Sequence, residues 1–361
     1  QRNRRQICFD QMKHRLPFSH WPTKALFFIL AVNILTAQLE NDQNISKRGT
    51  TAAQFLKIST GGRGTAMGNA NVAICSDLTS SYWNPAGLAR MENIQVYFEN
   101  NEWLAGTDYN FGSVGFSVPM VGVFSLSLTM LSTPDDMVRT IENPKGTGEK
   151  FNAQDLAIGL TIARSLTDRL ALGATVKTIR QRIWHSSGQT MATDIGVQYK
   201  TPIRDIMLGA SISNFGNDLA LSGRDMNISV DPDPANQGNV EFVNAEYQTD
   251  AFPLPLFFRV GIGGHLINTP FLQALFAIDA VHPNDNYEYV NLGIEAAFNN
   301  MVYLRAGYPS LFKDDAIEGA TFGAGLNYRV FRTSTFLKLE YSTADFGPLG
   351  MLQRLSVGYR F

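Results

Sequence analysis

From residue 93 to the end of the chain, short segments place a large apolar side chain at every second position. In 154–164, Leu156, Ile158, Leu160 and Ile162 share one face, and Asp155, Ala157, Gly159, Thr161 and Ala163 the other. In 190–200, Met191, Thr193, Ile195, Val197 and Tyr199 oppose Ala192, Asp194, Gly196, Gln198 and Lys200. In 287–297, Val290, Leu292, Ile294 and Ala296 oppose Asn291, Gly293, Glu295 and Ala297. A period of two belongs to strands with unlike surroundings on their two faces. The pattern predicts strands over 93–99, 109–118, 121–131, 154–164, 168–180, 190–200, 205–214, 256–265, 271–281, 287–297, 301–308, 318–329, 333–342 and 351–361, fourteen in all.

A soluble β-sandwich also alternates, but its strands run to about five or six residues, short of the nine to eleven that a tilted membrane strand needs. The connections sort by parity as well. Those at 119–120, 165–167, 201–204, 266–270, 298–300 and 330–332 are short. Those at 100–108, 132–153, 181–189, 215–255, 309–317 and 343–350 are longer, with 282–286 the exception. Short periplasmic turns and long external loops characterise outer-membrane barrels, whose strand number is even. The expected fold is therefore an all-β transmembrane antiparallel barrel in a bacterial outer membrane, with lipid as its surroundings. The second face, mostly Gly, Ala, Ser and Thr, suits a lumen that something already fills.

Composition agrees. Charged residues are 17%, Gly numbers 31 and Phe 24. The formal net charge of −2 argues against a nucleic-acid partner, which favours a basic excess.

The start of the chain reads differently. Lys13, Arg15 and Lys24 precede an apolar run of thirteen, 25–37, that ends on Ala37. A basic stretch, a short apolar run and a small residue read as a secretory signal peptide over 12–37, with 1–11 an upstream extension. At 1.5 Å per residue such a run spans about 20 Å, short of a bilayer core. Cys8 lies upstream of it, so Cys75 stands alone in the mature chain and reads as a small buried residue. No later window reaches eighteen apolar residues, so a membrane-borne mature chain must be a closed barrel.

Residues 50–92 do not alternate. The stretch 50–58 reads as a short helix, a glycine cluster follows, and 77–83 reads as a second helix ended by Pro85, with Gly87 allowing a bend. Such a segment ahead of a barrel reads as a plug, giving a division into 38–92 (plug or hatch) and 93–361 (barrel). Gly62, Gly64 and Gly68 miss dinucleotide-loop spacing, and no Gly-Lys-Ser/Thr follows, so close backbone packing explains them better.

Phe55, then Gly62-Arg63-Gly64 and Gly68, then Trp83-Asn84-Pro85-Ala86-Gly87, resemble the PorV/PorQ family of outer-membrane proteins. That family is related to FadL-type channels for hydrophobic compounds, which share an Asn-Pro-Ala stretch in their hatch. The resemblance covers about forty residues, and it implies a fourteen-stranded barrel with a hatch. It further implies a role in type IX-like secretion, with a translocon and the C-terminal domains of cargo as partners. The alternative is a FadL-like channel for a hydrophobic small molecule, and a second alternative is a purely structural barrel.

For the secretion role the residues to examine are Phe242, Phe252, Leu254 and Phe257, in and beside the long loop 215–255, as an apolar docking surface. For the channel role a wall break is expected near Gly112 and Gly115, or near Gly261, Gly263 and Gly264. Tyr359 and Phe361 on the last strand resemble the signal read by the barrel assembly machinery. His185, His265 and His282 lack ligand spacing and read as interface or lumen residues, and Asp231-Pro232-Asp233-Pro234 reads as a stiff exposed loop. No nucleophile–base arrangement stands out, so neither catalysis, a cofactor nor a metal is expected.

Overall fold

The structure, a computed structural model, describes residues 47–204, 206–233, 235, 242–313, 315–330 and 333–361. The signal-peptide and upstream segments, Cys8 and Pro234 lie outside the described residues.

Among the described residues, fourteen long strands make the wall: β1 (Ile94–Glu102), β2 (Asp108–Val118), β3 (Gly122–Ser132), β4 (Ala153–Ser165), β5 (Leu170–Ile183), β6 (Ser186–Lys200), β7 (Met207–Gly216), β8 (Phe257–Asn268), β9 (Leu272–Pro283), β10 (Tyr289–Phe298), β11 (Val302–Leu311), β12 (Thr321–Arg329), β13 (Phe336–Asp345) and β14 (Met351–Arg360). Each pairs antiparallel with its sequence neighbours. The sheet closes where β1 meets β14, from Gln95↔Arg360 to Asn101↔Arg354. Closure leaves no strand edge for lipid to strip of hydrogen bonds.

The alternation sets the two surfaces. Ile158, Leu160 and Ile162 of β4 are exposed on the outer wall, as are Val96 and Phe98 of β1 and Leu304 of β11. Ala157, Thr161 and Ala163 face inward and are buried. The exposed belt is the surface such a barrel turns to acyl chains. One turn shows how local chemistry fixes register. Asn299 and Asn300 link β10 to β11, both at positive φ (51° and 54°). Asparagine tolerates that region, and a turn of this kind matches the twist of the paired strands.

One connection departs from expectation. Instead of a loop over 181–189, β5 and β6 stay paired up to Ile183↔Ser186, leaving Trp184 and His185 as the link. Above the lipid no face must be apolar, so the hairpin continues after its alternation stops being legible. The loop between β7 and β8 carries its own two-stranded ladder, Asn227–Val230 on Val243–Glu246.

Residues 50–91 fill the lumen, mostly buried. They form only short helical pieces, among them α1 (Gly62–Ala66) and α2 (Ser80–Trp83), with 3₁₀ turns at Gln54–Lys57 and Pro85–Arg90. The lumen wall receives them in two ways. Toward β1–β6 the contact is apolar: Phe55, Leu56, Leu78, Leu88 and Met91 cluster with Tyr97, Phe111, Val123, Ala157 and Ile179. Toward β10–β14 it is charged.

Candidate functional site

The charged contact begins at α1. Arg63 donates from Nε and Nη2 to the two carboxylate oxygens of Glu295 on β10, both at 3.0 Å, and from Nη1 to the Ile74 carbonyl at 3.2 Å. Arg305 of β11 shares Glu295 at 2.6 Å and reaches Glu340 of β13 at 3.0 Å. Lys338 joins Glu340 to Asp77 of the plug, 3.0 Å from each. Burial alone would raise the Asp77 carboxyl, but Lys338 beside it and the Thr79 hydroxyl outweigh that and hold it well below the usual carboxylate range. A second grip lies one strand on. Arg354 of β14 pairs with Glu99 at 3.0 Å and donates to the Thr65 hydroxyl at 2.8 Å, while Glu99 accepts from the Gly61 amide at 2.6 Å.

The Asn84-Pro85-Ala86-Gly87 turn anchors the opposite side. The Asn84 side chain donates to the carbonyls of Val72 (2.9 Å) and Val197 of β6 (3.0 Å) and accepts from the Ala86 amide (3.1 Å). Pro85 follows as the first residue of its 3₁₀ turn, where its missing N–H costs nothing. The wall gives way for this turn: a Cβ on Gly173 would meet the Pro85 carbonyl carbon at 2.3 Å. Gly62 lies against Glu340, Gly64 against the Trp83 ring, Gly68 against Tyr308 and Leu292, and Gly87 against Cys75. The Trp83 ring nitrogen donates to the Thr60 carbonyl at 2.8 Å. Burial pushes the neighbouring Cys75 thiol up to about 12.

Cavities lie on either side of the plug. The outer cavity, about 320 Å³, is walled by Phe55, Ile58, Leu131 and Phe257, with Trp103 and Phe346 in edge contact (5.4 Å between centroids). Lys57, Asp285, Lys313 and Glu318 supply its polar side. The inner cavity, about 40 Å³, lies behind Phe55 and Leu56, between Tyr109, Phe111 and Ala157 on one side and Lys177, Asp194 and Arg259 on the other. Phe55, 2% exposed, lines both. Another, about 320 Å³ at the end of the barrel that holds Tyr359 and Arg360, is lined by Arg63, Asp77, Arg305 and Lys338.

The residues examined for partner docking do not form one surface. Phe242 and Phe252 are exposed. Leu254 and Phe257 are buried, at 3% and 4%. Leu254 joins the apolar cluster that holds the plug, and Phe257 opens β8 on its inward parity. The sites expected to break the wall differ. β2 stays paired on both sides through Gly112 and Gly115, whereas β8 shifts register once, between His265 and Ile267. The ladder also slips on β11 at Pro309 and Ser310, where β10 jumps from Leu292↔Tyr308 to Val290↔Leu311. Tyr359 and Phe361 meet edge-on at 4.6 Å, and the Phe361 amide donates to the Ile94 carbonyl. His185 and His282 lie at the external end, bonded to Asp225 and Glu288 at 2.7 Å each; His265 is exposed near the other end of β8. Among the described residues no three His, Cys, Asp or Glu side chains group as metal ligands.

Sequence reasoning missed the inward partners Glu99, Glu295, Arg305, Glu340 and Arg354, and Asp279, which accepts from the Asn71 and Val72 amides at 2.6 and 2.8 Å. Their signal was a single charge on the small-residue face of a strand, such as Glu295 among Gly293 and Ala297.

No family model and no curated protein matches the chain. Solved structures do. The monoaromatic hydrocarbon channel CymD is 13% identical, with a TM-score of 0.56 over 84% of this chain and 98% of that one. The Pseudomonas putida toluene transporter TodX is 14% identical, with a TM-score of 0.51 over 83% and 97%. The Ralstonia pickettii toluene transporter TbuX is 13% identical, with a TM-score of 0.50 over 84% and 98%. The likeness is one of fold, a closed antiparallel barrel of fourteen strands. Nothing in it is particular to the PorV/PorQ family.

Proposed function

We propose that the chain is a channel for small hydrophobic molecules, with the outer cavity as the external binding site and the described plug, residues 47–92, as the hatch. The observation that carries this is Phe55: one buried ring is the shared wall between an externally placed, aromatic-lined cavity and a second cavity inside the barrel. A cavity of about 320 Å³ matches the small end of ligand sites, and its aromatic side faces a polar one. The shared fold with channels named for monoaromatic hydrocarbons supports the reading. The secretion role keeps less support, because burial of Leu254 and Phe257 halves the surface that would receive cargo. Tyr359 and Phe361, on the outward face of the last strand, serve assembly of the barrel in this reading.

The test is binding of toluene to the purified full chain, followed by calorimetry. Saturable binding that weakens about tenfold in Trp103→Asp, which sets a charge in the cavity wall, is the expected result. Absence of saturable binding, or binding indifferent to Trp103→Asp, overturns the reading.

A further inference from the structure

The outward faces of the strands are almost free of cations. Among the described residues they carry three, all arginine: Arg164 near one end of β4, and Arg180 and Arg182 near the other end of β5. On β5, Leu172, Ala174, Val176, Thr178, Arg180 and Arg182 share the outward parity, while Gly173, Thr175, Lys177 and Ile179 point inward. Arg164 pairs across the ladder with Leu172. From Leu172 to Arg180 is about 26 Å along a strand at 3.3 Å per residue. Tilted by about 40°, that climbs about 20 Å, close to the height of the apolar band of such barrels. The arginines therefore mark its two borders, and Arg180 and Arg182 stand at the external one.

Their surroundings leave them hungry for an anion. Arg180 lies between Leu156 and Gln189, and Arg182 between Gln154 and Ser187. Neither makes an ion pair with a described carboxylate. Arg182 donates from Nη2 to Asn152 at 2.9 Å, an uncharged partner. The Arg180 guanidinium faces Leu156 across the ladder, at the edge of hydrocarbon, where an anion gains from pairing with it. The guanidinium fork matches phosphate oxygens two at a time. The external border of an outer membrane presents phosphate on the sugar headgroups of its lipids.

We propose that Arg180 and Arg182 hold the phosphate groups of a glycolipid in the external leaflet, with Gln154 and Gln189 as flanking donors. The site fixes a lipid against β4–β6 and is separate from the cavities of the lumen.

The experiment titrates the full chain in detergent with bisphosphorylated lipid A, and with the same lipid stripped of phosphate, read by native mass spectrometry. Phosphorylated lipid A is expected to bind about tenfold more tightly, and R180Q/R182Q to abolish that preference. R180K/R182K retains part of it, because lysine keeps the charge but loses the fork. Inorganic phosphate at matched concentration does not displace the lipid, whose acyl chains also lie on the wall. Equal affinity for the two lipids, a preference that survives in R180Q/R182Q, or displacement by inorganic phosphate each overturns the proposal.

Discussion

Arg63 and Glu295, far apart in the chain, are joined by two parallel hydrogen bonds of 3.0 Å, and the pair is mostly shielded from solvent. The tie between plug and wall is bidentate here, and Arg305 leans on the same carboxylate. Removing Arg63 leaves Glu295 buried with Arg305 alone, which costs about 1–3 kcal/mol. Arg63→Ala should therefore free the plug while the wall stays closed. Trypsin should then cut within 47–92 of the folded protein, and conductance across a planar bilayer should rise. An unchanged digestion pattern and an unchanged current would show that the plug is held elsewhere.

The wall glycines make a second, sharper test. A methyl group at Gly173 would stand 2.3 Å from the Pro85 carbonyl carbon, and backbone cannot step aside as a flexible side chain can. Gly112 faces outward, with nothing within 4 Å of its added carbon. Gly173→Ala should cost about 1–3 kcal/mol or eject the Asn84-Pro85-Ala86-Gly87 turn. Gly112→Ala should stay within about 0.5 kcal/mol of the parent. Heat-modified mobility on gels, with urea midpoints, separates the two. Equal midpoints would mean that the turn does not rest against β5.

The wall was largely legible in the sequence because lipid enforces a rule at every second residue, as Leu156, Ile158, Leu160 and Ile162 show. Legibility failed where that enforcement ends. Gln181, Arg182 and Ile183 extend β5 above the band, where either face is allowed to be polar, and they read as loop. The plug was legible only as a segment without period. Its partners were not, because Glu295 and Arg63 meet through the closure of the barrel, which no local pattern records. Leu254 and Phe257 misled for the opposite reason: an apolar side chain near a loop looks alike whether it turns to a partner or back into the lumen.

Cys75 reports on the plug chemically. Burial among Val72, Asn84 and Gln198 raises its thiol to about 12, so at pH 8 the reactive thiolate is scarce and no reagent reaches it. Maleimide should leave Cys75 unlabelled over hours in the native protein at pH 8. In Arg63→Ala, labelling should accelerate by about a hundredfold or more as the plug opens. Rapid labelling of the parent would mean that residues 71–87 leave the lumen spontaneously.

Asp285 gives the pH dependence. It accepts from the Thr51 hydroxyl at 2.7 Å and from the Lys57 ammonium, tying the start of the plug to the β9–β10 connection. Burial works to raise this carboxyl, but the hydrogen bonds from Lys57 and Thr51 outweigh it and hold it below its ordinary value of 3.8. A lowered folded-state value means that the unfolded chain binds the proton more readily. The stabilisation is then complete above about pH 4 and decays as pH falls through the folded value. Trypsin is inactive there, so pepsin cleavage near residue 55 is the measurement. It should be absent at pH 4 and appear on descent toward pH 2, and Asp285→Asn should show it already at pH 4. A cleavage onset shared by parent and variant would remove Asp285 from the account of how the plug is held.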